Sequence, residues 1–347
     1  MASSSTKGAS TASSNPGEQI LQLATGYMAP ACLYIAAKLR IADQLADGPK
    51  VIAELAGKAR GVHENSLYRV MRALASVGVF TETEPRTFAN TAASELLRAR
   101  VPGSMREVVL WTASPTHLRV FAELRHAVET GDMALKKVTG LDAFEYLKKN
   151  PAEDEAFNAA MSGLTANFAP AVLEAYDFSG LGTVADIGGG HGKLMTEILK
   201  KHYGLRGIVF DAPHVVAGAG PHIESMGLGE RCRTTAGDFF QAAPEADSYV
   251  LKSVIHDWND ASAISVLQNC VTAMRGEAGK VLLLEMVLQP GNEHDIGKWI
   301  DLEMLMMAGG HERTEAEFAE LLSKAGLRLT RVVRTKSPVC VIESVRA

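Results

Sequence analysis

From residue 17 to 46 the apolar positions Ile20, Leu21, Ala24, Met28, Leu33, Ile35, Ala36, Leu39, Ile41 and Leu45 fall on nearly every side of a helix. A helix that is apolar all round has to be buried, and this near a terminus a second subunit is the expected burier. Residues 51–56 and 64–74 predict two further helices. Gly78-Val79-Phe80-Thr81-Glu82 and Arg86-Thr87-Phe88-Ala89-Asn90 then flank Pro85 as a short hairpin. Helix, turn, helix and a two-stranded wing form a winged-helix pattern. Residues 107–112, 115–130, 143–149, 151–161 and 164–176 read as helices, with Asn150-Pro151 marking one start. Past Gly180-Leu181-Gly182 the pattern changes to strands alternating with helices, at 183–187, 207–210, 232–236, 248–254 and 280–286. A closing pair near 328–334 and 339–344, joined by Lys336-Ser337-Pro338, reads as a hairpin adding an antiparallel edge. That alternation predicts an α/β fold: a doubly wound sheet of seven strands, mostly parallel with the last antiparallel, covered on both faces. The expected layout is a disordered tail over 1–16, an all-helical winged-helix domain with its short wing over 17–105, helices over 106–178 and the sheet domain over 179–347.

Composition narrows the classes without choosing one. An apolar content of 47% and a charged content of 22% are ordinary for a globular protein, and 347 residues suit two domains. The net charge of −5 gives no general attraction to nucleic acid or to an anionic membrane. From Asp47 to Arg100 there are eight basic and six acidic residues, too even a balance for a DNA-reading surface, so a dimerisation and lid role is favoured over DNA binding. Cys32, Cys232, Cys270 and Cys340 are far apart, which argues against a zinc site or a disulfide scaffold and suits a cytoplasmic protein. No apolar run reaches the ~18–20 residues of a membrane span. The first 16 residues are too polar for a signal peptide.

The chemistry concentrates at the ends of the predicted strands, where open α/β sheets hold ligands. Thr183-Val184-Ala185-Asp186-Ile187 runs into Gly188-Gly189-Gly190-His191-Gly192-Lys193 and then into a helix, which predicts a backbone cradle for a ligand. Lys193 stands where a dinucleotide fingerprint needs its third glycine, and no P-loop lysine with a following serine or threonine is present. The next strand ends in Asp211, 23 residues after Gly188, where such folds hold ribose hydroxyls. A nucleoside without an essential pyrophosphate is therefore expected. Further strand ends present Asp238 with Phe239, Lys252 to His256, and Glu285. A histidine in such a loop titrates near neutrality and can remove a proton from a hydroxyl. Glu285 and Glu312, the latter in Gly309-Gly310-His311-Glu312-Arg313-Thr314, are acids available to orient it. His191 is expected to be structural or solvent-facing.

Taken together, Asp186–Gly192, Phe210-Asp211, Gly237-Asp238-Phe239-Phe240, Lys252-Ser253-Val254-Ile255-His256-Asp257-Trp258 and Gly309–Thr314 resemble the S-adenosylmethionine-dependent O-methyltransferases of the caffeate and hydroxyindole type. The resemblance covers about residues 18–345 and implies a Rossmann-like catalytic domain, a homodimer joined through the N-terminal helices, and S-adenosylhomocysteine as product. It implies that Asp186, Gly188, Gly190, Asp211, Asp238, Phe239 and Lys252 bind the cofactor. His256 becomes the general base with Glu285 and Glu312 beside it, and Asp257 and Trp258 touch a small aromatic acceptor. Met28, Phe121, Phe157, Met161, Phe168, Met304 and Met307 are candidate walls of the acceptor pocket, with 106–178 as its helical lining. The reaction implied is methyl transfer to a hydroxyl, expected to be phenolic, with no metal, nucleic acid or membrane partner. A cofactor-sensing DNA-binding regulator, and a relative turned to decarboxylation or hydroxylation, remain as alternatives; N-methylation stays open.

Overall fold

The computed structural model describes residues 15–58 and 61–347, so the expectation of a disordered tail lies outside it except at its end, where Pro16 opens a helix capped by Asn15. The chain forms two compact units that divide between Ser114 and Pro115.

In the first unit, the apolar stretch predicted as one helix is three: Pro16–Ala24, Met28–Lys38 and Ile41–Gln44. Gly26 lies in the first break, and Arg40 closes the second by taking a left-handed backbone with φ 53°. The later part enters a core in which Ala36, Ile41 and Leu45 pack with Leu55, Leu67, Met71, Leu74, Phe80 and Phe88. The first helix buries nothing within the chain and leaves Ile20, Leu21 and Leu23 at 66%, 64% and 65% exposure. The unit is also not all-helical. Strands β1 (Lys50–Val51), β2 (Phe80–Glu84) and β3 (Thr87–Asn90) make a small antiparallel sheet in the order β1-β3-β2. The wing turns at Arg86, with φ 62°, and β1 pairs back through Lys50 opposite Phe88. Helix Arg106–Thr112, placed by its sequence among the connecting helices, packs on helix Met28–Lys38 and so belongs to this unit.

The second unit opens with short helices, Pro115–Phe121, Leu124–Thr130, Ala134–Thr139 and Ala143–Lys149, ahead of a single 25-residue helix, Pro151–Ala175. The break predicted near residue 162 does not occur. Ala160, Thr165, Ala169, Val172 and Leu173 are buried on both sides of Gly163, and that burial outweighs the roughly 1 kcal/mol helix cost of glycine. The sheet follows as β4 (Thr183–Ile187), β5 (Arg206–Asp211), β6 (Cys232–Ala236), β7 (Ser248–Lys252), β8 (Lys280–Leu288), β9 (Arg313–Thr314), β10 (Leu327–Val333) and β11 (Val339–Arg346). Its order is β10-β11-β8-β7-β4-β5-β6, with β9 attached to the far end of β8. The predicted seven strands are all present, and β11 alone runs antiparallel to its neighbours, between β8 and β10. The edge is therefore β10 rather than the closing strand.

Alternate residues feed two cores. Ala185, Ile208, Leu251 and Leu283 face helices Asp260–Ala273 and Glu315–Lys324; Val184, Val209, Val250 and Leu282 face helix Lys193–Lys201 and the end of the 25-residue helix. A sheet buried on both faces has only its strand ends free for chemistry. The chain order reverses between β4 and β7, so loops leaving them diverge and open a crevice.

Candidate active site

The crevice is a cavity of about 320 Å³ lined from the glycine turn, the ends of β5 and β7, the Gly237–Phe240 loop and the helices around Phe144 and Phe157. Gly188, Gly190 and Gly192 all have positive φ. At Gly188 a Cβ would lie 2.7 Å from the Val254 side chain, so glycine there is needed for both conformation and contact; at Gly190 the backbone faces open space. Both oxygens of the Asp211 carboxylate accept backbone N–H groups, from Gly190 at 2.8 Å and from Ala212 at 2.7 Å. Burial raises its pKa, and those two bonds hold it back. Asp186 is buried beneath the turn and pushed up to about 7 by that burial, with Lys252 opposing the shift. Among the described residues its Oδ2 has no hydrogen-bond partner. Lys252 is itself pulled down by burial, against the pull of Glu285, Asp186 and Asp257.

The far wall is aromatic. Trp258 stacks on Phe144 with ring centroids 5.3 Å apart and meets Phe240 edge-on at 4.7 Å, with Phe239 at 6.1 Å. Aromatic faces at one end, and buried acids with an unsatisfied oxygen at the other, fit a nucleoside carrying a cationic group.

The turn after β7 supplies the second half of the site. Ser253 leaves the strand in a left-handed conformation, φ 51°, and Ile255–Asp257 form one 3₁₀ turn. Glu285 Oε1 accepts the N–H groups of Val254 and Ile255 at 3.0 and 2.9 Å, fixing the start of that turn. β9 pairs with β8 through Arg313 opposite Val287, so Glu312 arrives beside Glu285. His256 Nδ1 then lies 2.7 Å from Glu312 Oε1 and 3.7 Å from Glu285 Oε2, while Nε2 is 3.7 Å from Asp257 Oδ1. Burial alone would lower the His256 pKa, but Glu285, Asp257 and Glu312 outweigh it and raise it to about 10. Burial pushes Asp257 up to about 6 and Glu285 to about 7, each opposed by His256. The carboxylates therefore make His256 a stronger proton acceptor than a free imidazole. His256, Glu285 and Glu312 also bring three donor atoms within 4.8 Å of one another, a spacing a metal could use. The 2.7 Å contact instead has the length of a charge-assisted hydrogen bond, with Nδ1–H donating.

The sequence-predicted residues divide clearly. Asp186, Gly188, Gly190, Asp211, Asp238, Phe239 and Lys252 all line the cavity, as do Asp257, Trp258, Phe157 and Met161. Trp258 shares its wall with Phe239 and Phe240, so it sits on the side expected for the cofactor ring rather than apart from it. Met304 and Met307, expected as acceptor walls, do not line this cavity; they are buried on helix Ile296–Met307. Phe121 and Phe168 do not line it either, and Met28 belongs to the first unit. His191, expected to be structural, does line it, with its ring against Gly218. His256 itself is not among the residues that line it, although its neighbours Asp257 and Trp258 are. Sequence reading missed Phe144, Asp154, Asn158 and Thr165. The last three share one face of the long helix with Phe157 and Met161, and that mixed polar and apolar spacing was the available signal.

Residues 21–100 match the O-methyltransferase dimerisation domain and residues 121–328 the O-methyltransferase domain. The phenazine O-methyltransferase PhzM of Lysobacter antibioticus is 45% identical over 326 residues, 94% of this chain and 95% of that protein. The solved structure of LaPhzM superposes with a TM-score of 0.92 at 44% identity, covering 96% of this chain and all of that one. NcsB1, an O-methyltransferase of neocarzinostatin biosynthesis solved with S-adenosylmethionine and 2-hydroxy-5-methyl naphthoic acid, superposes at 0.78 with 34% identity over 92% of this chain and 96% of that one. With the cradle, the acidic strand ends and both halves of the chain accounted for, the protein belongs to the S-adenosylmethionine-dependent O-methyltransferases that carry an N-terminal dimerisation domain.

Proposed function

We propose that the chain methylates a hydroxyl, phenolic in kind, on a small aromatic natural product, with His256 as general base. The observation that carries this reading is the 2.7 Å contact between His256 Nδ1 and Glu312, which fixes the ring and turns Nε2 to the side of Asp257, a residue that lines the cavity. When bound, S-adenosylmethionine supplies a methyl group on a cationic sulfonium for in-line transfer to the acceptor oxygen, and S-adenosylhomocysteine remains. Asp211 would hold ribose hydroxyls, Asp186 and Lys252 the methionine end, and Asp238 with Phe239 and Trp258 the adenine. The Gly188–Gly190 backbone would lie along the cofactor. His256 Nε2 takes the hydroxyl proton as the oxygen attacks, and Glu312 stabilises the imidazolium that forms. Glu285 keeps the turn in place through two backbone amides while adding negative charge. Asp257, Phe157 and Met161 would contact the acceptor, within a helical lining drawn from 106–178.

The exposed Ile20, Leu21 and Leu23 support a homodimer that buries the N-terminal helix, with 17–105 as its dimerisation domain. Four unpaired cysteines support residence in the cytoplasm. The test is transfer of a labelled methyl group from S-adenosylmethionine to a panel of phenols and hydroxyquinones. His256→Ala is expected to lose about 10²–10⁴-fold in kcat, the usual range for a general base, while binding S-adenosylhomocysteine as before. Full turnover by that variant on the best acceptor removes the base assignment.

A further inference from the structure

Arg313 is the largest side chain among the fully buried residues, at 1% exposure, and the reaction proposed above gives it nothing to do. A guanidinium has five N–H donors in a rigid plane, and burying one is costly unless all are used. Here all five are. Nε and Nη2 donate to Asp260 Oδ1 at 3.1 and 2.8 Å, and Nη2 also donates to the Trp258 carbonyl at 2.9 Å. Nη1 donates to the carbonyls of Ile255 at 3.1 Å and His311 at 3.3 Å. The two distant carbonyls belong to residues on either side of His256 and Asp257.

Two neighbours in the same loop tighten the same turn. A Cβ on Gly310 would lie 2.0 Å from the His256 carbonyl oxygen and 2.6 Å from the Trp258 nitrogen, so the loop backbone presses directly on the turn. Glu312 takes the His256 ring, and its own N–H donates to Asp301 at 2.9 Å. The loop 310–313 therefore grips the turn by backbone contact, by the ring and by two carbonyls.

We propose that Arg313 is a positioning residue: it sets where His256 stands against Glu312 by holding the Ile255 and Trp258 carbonyls in one plane. This rests on His256 as the base. Lysine at 313 keeps the charge near Asp260 but cannot span two carbonyls, so it is the informative change. Arg313→Lys is expected to lower kcat about 10-fold and Arg313→Gln about 100-fold, the scale of a misplacement near 1 Å, with the S-adenosylhomocysteine dissociation constant within about 2-fold of wild type. Both variants let His256 move away from its carboxylates, so the acid limb of the pH–rate profile moves to lower pH. The same displacement appears without turnover as a lower titration midpoint of the His256 ¹⁵N signals in cofactor-free protein. Asp260→Ala, at an exposed position, frees two of the five donors and is expected to give a smaller shift in the same direction, which covers the case in which Arg313 variants fail to fold.

Unchanged kcat and limb in Arg313→Lys overturn the proposal. So does a fall in Tm or cofactor affinity with the His256 midpoint left where it was. His256→Asn separates the two readings: an acid limb that survives in that variant refutes the base, whereas the ¹⁵N midpoint in Arg313→Lys reports on positioning whatever the limb means.

Discussion

The two halves of the site are built on opposite plans. The cradle is contiguous: one strand, one glycine turn and one helix start supply Asp186 through Lys193, and the backbone itself is the binding surface. The base turn is assembled from three segments, near 253–260, 285 and 310–313, and the side-chain contacts that fix it cross between them. Among the described residues Asp186 Oδ2 in the cradle and Glu285 Oε2 and Glu312 Oε2 at the turn have no hydrogen-bond partner, but the turn also has its backbone groups tied to Glu285 and Arg313. A proton-transfer group has to be immobile before the ligand arrives.

Damage to each half should therefore read out differently. The largest effect is expected from His256→Asn, which should cost about 10²–10⁴-fold in kcat with cofactor affinity intact, measured by steady-state rates beside calorimetry with S-adenosylhomocysteine. If affinity falls in parallel with rate, the two halves are not separable in this way. Glu312→Gln keeps the shape but removes one charge, and should lower kcat by about 10-fold while moving the acid limb to lower pH, because less negative charge holds the His256 proton.

In the cradle the pattern reverses. Gly188→Ala places a Cβ 2.7 Å from Val254 at φ 68°. It should weaken cofactor binding by about 10-fold, in line with 1–3 kcal/mol of strain at such a position, and leave the pH profile alone. A shifted limb in that variant would show that the cradle and the turn are mechanically coupled.

The smallest expected effect is on stability. Asp186, Asp257 and Glu285 are raised to about 7, 6 and 7, so the folded chain binds protons that the unfolded chain has released, and stability falls as pH rises from about 4 to 7. His256, raised to about 10, contributes stability that is complete below about 6.5 and is lost between there and 10. Tm should therefore decline from pH 5 to 9. Asp186→Asn should flatten the part below 7, and a slope unchanged by that substitution would mean Asp186 is ionised throughout.

The same contrast explains what the sequence could tell. Strand alternation, the glycine cluster and Asp211 follow from local period and backbone demand, and the seven expected strands are where the apolar runs placed them. The grouping of His256 with Glu285 and Glu312 was expected only from resemblance and a reading of strand ends, because it depends on β9, a two-residue strand too short to leave a period. Met304 and Met307 fall outside this cavity for a related reason. Their spacing shows a buried helix face but not what it is buried against, and it is not this cavity. Arg313 carries no local signal at all, since an arginine beside a glutamate reads as surface until the turn it holds is in view. At the N-terminus the breaks at Gly26 and Arg40 were hidden by the spread of apolar positions over 17–46, and that pattern does not show that Ile20 and Leu21 stay exposed on this chain.

The central claim is that His256 removes the acceptor proton from a position its carboxylates hold. The dependence of log kcat/KM on pH tests it most directly. Wild type should rise with unit slope through an acid limb above pH 7, displaced upward from the ordinary histidine value of about 6.5, and His256→Asn should abolish that limb. A limb at about 6.5 that is the same in Glu312→Gln, or one that persists without His256, would contradict the account.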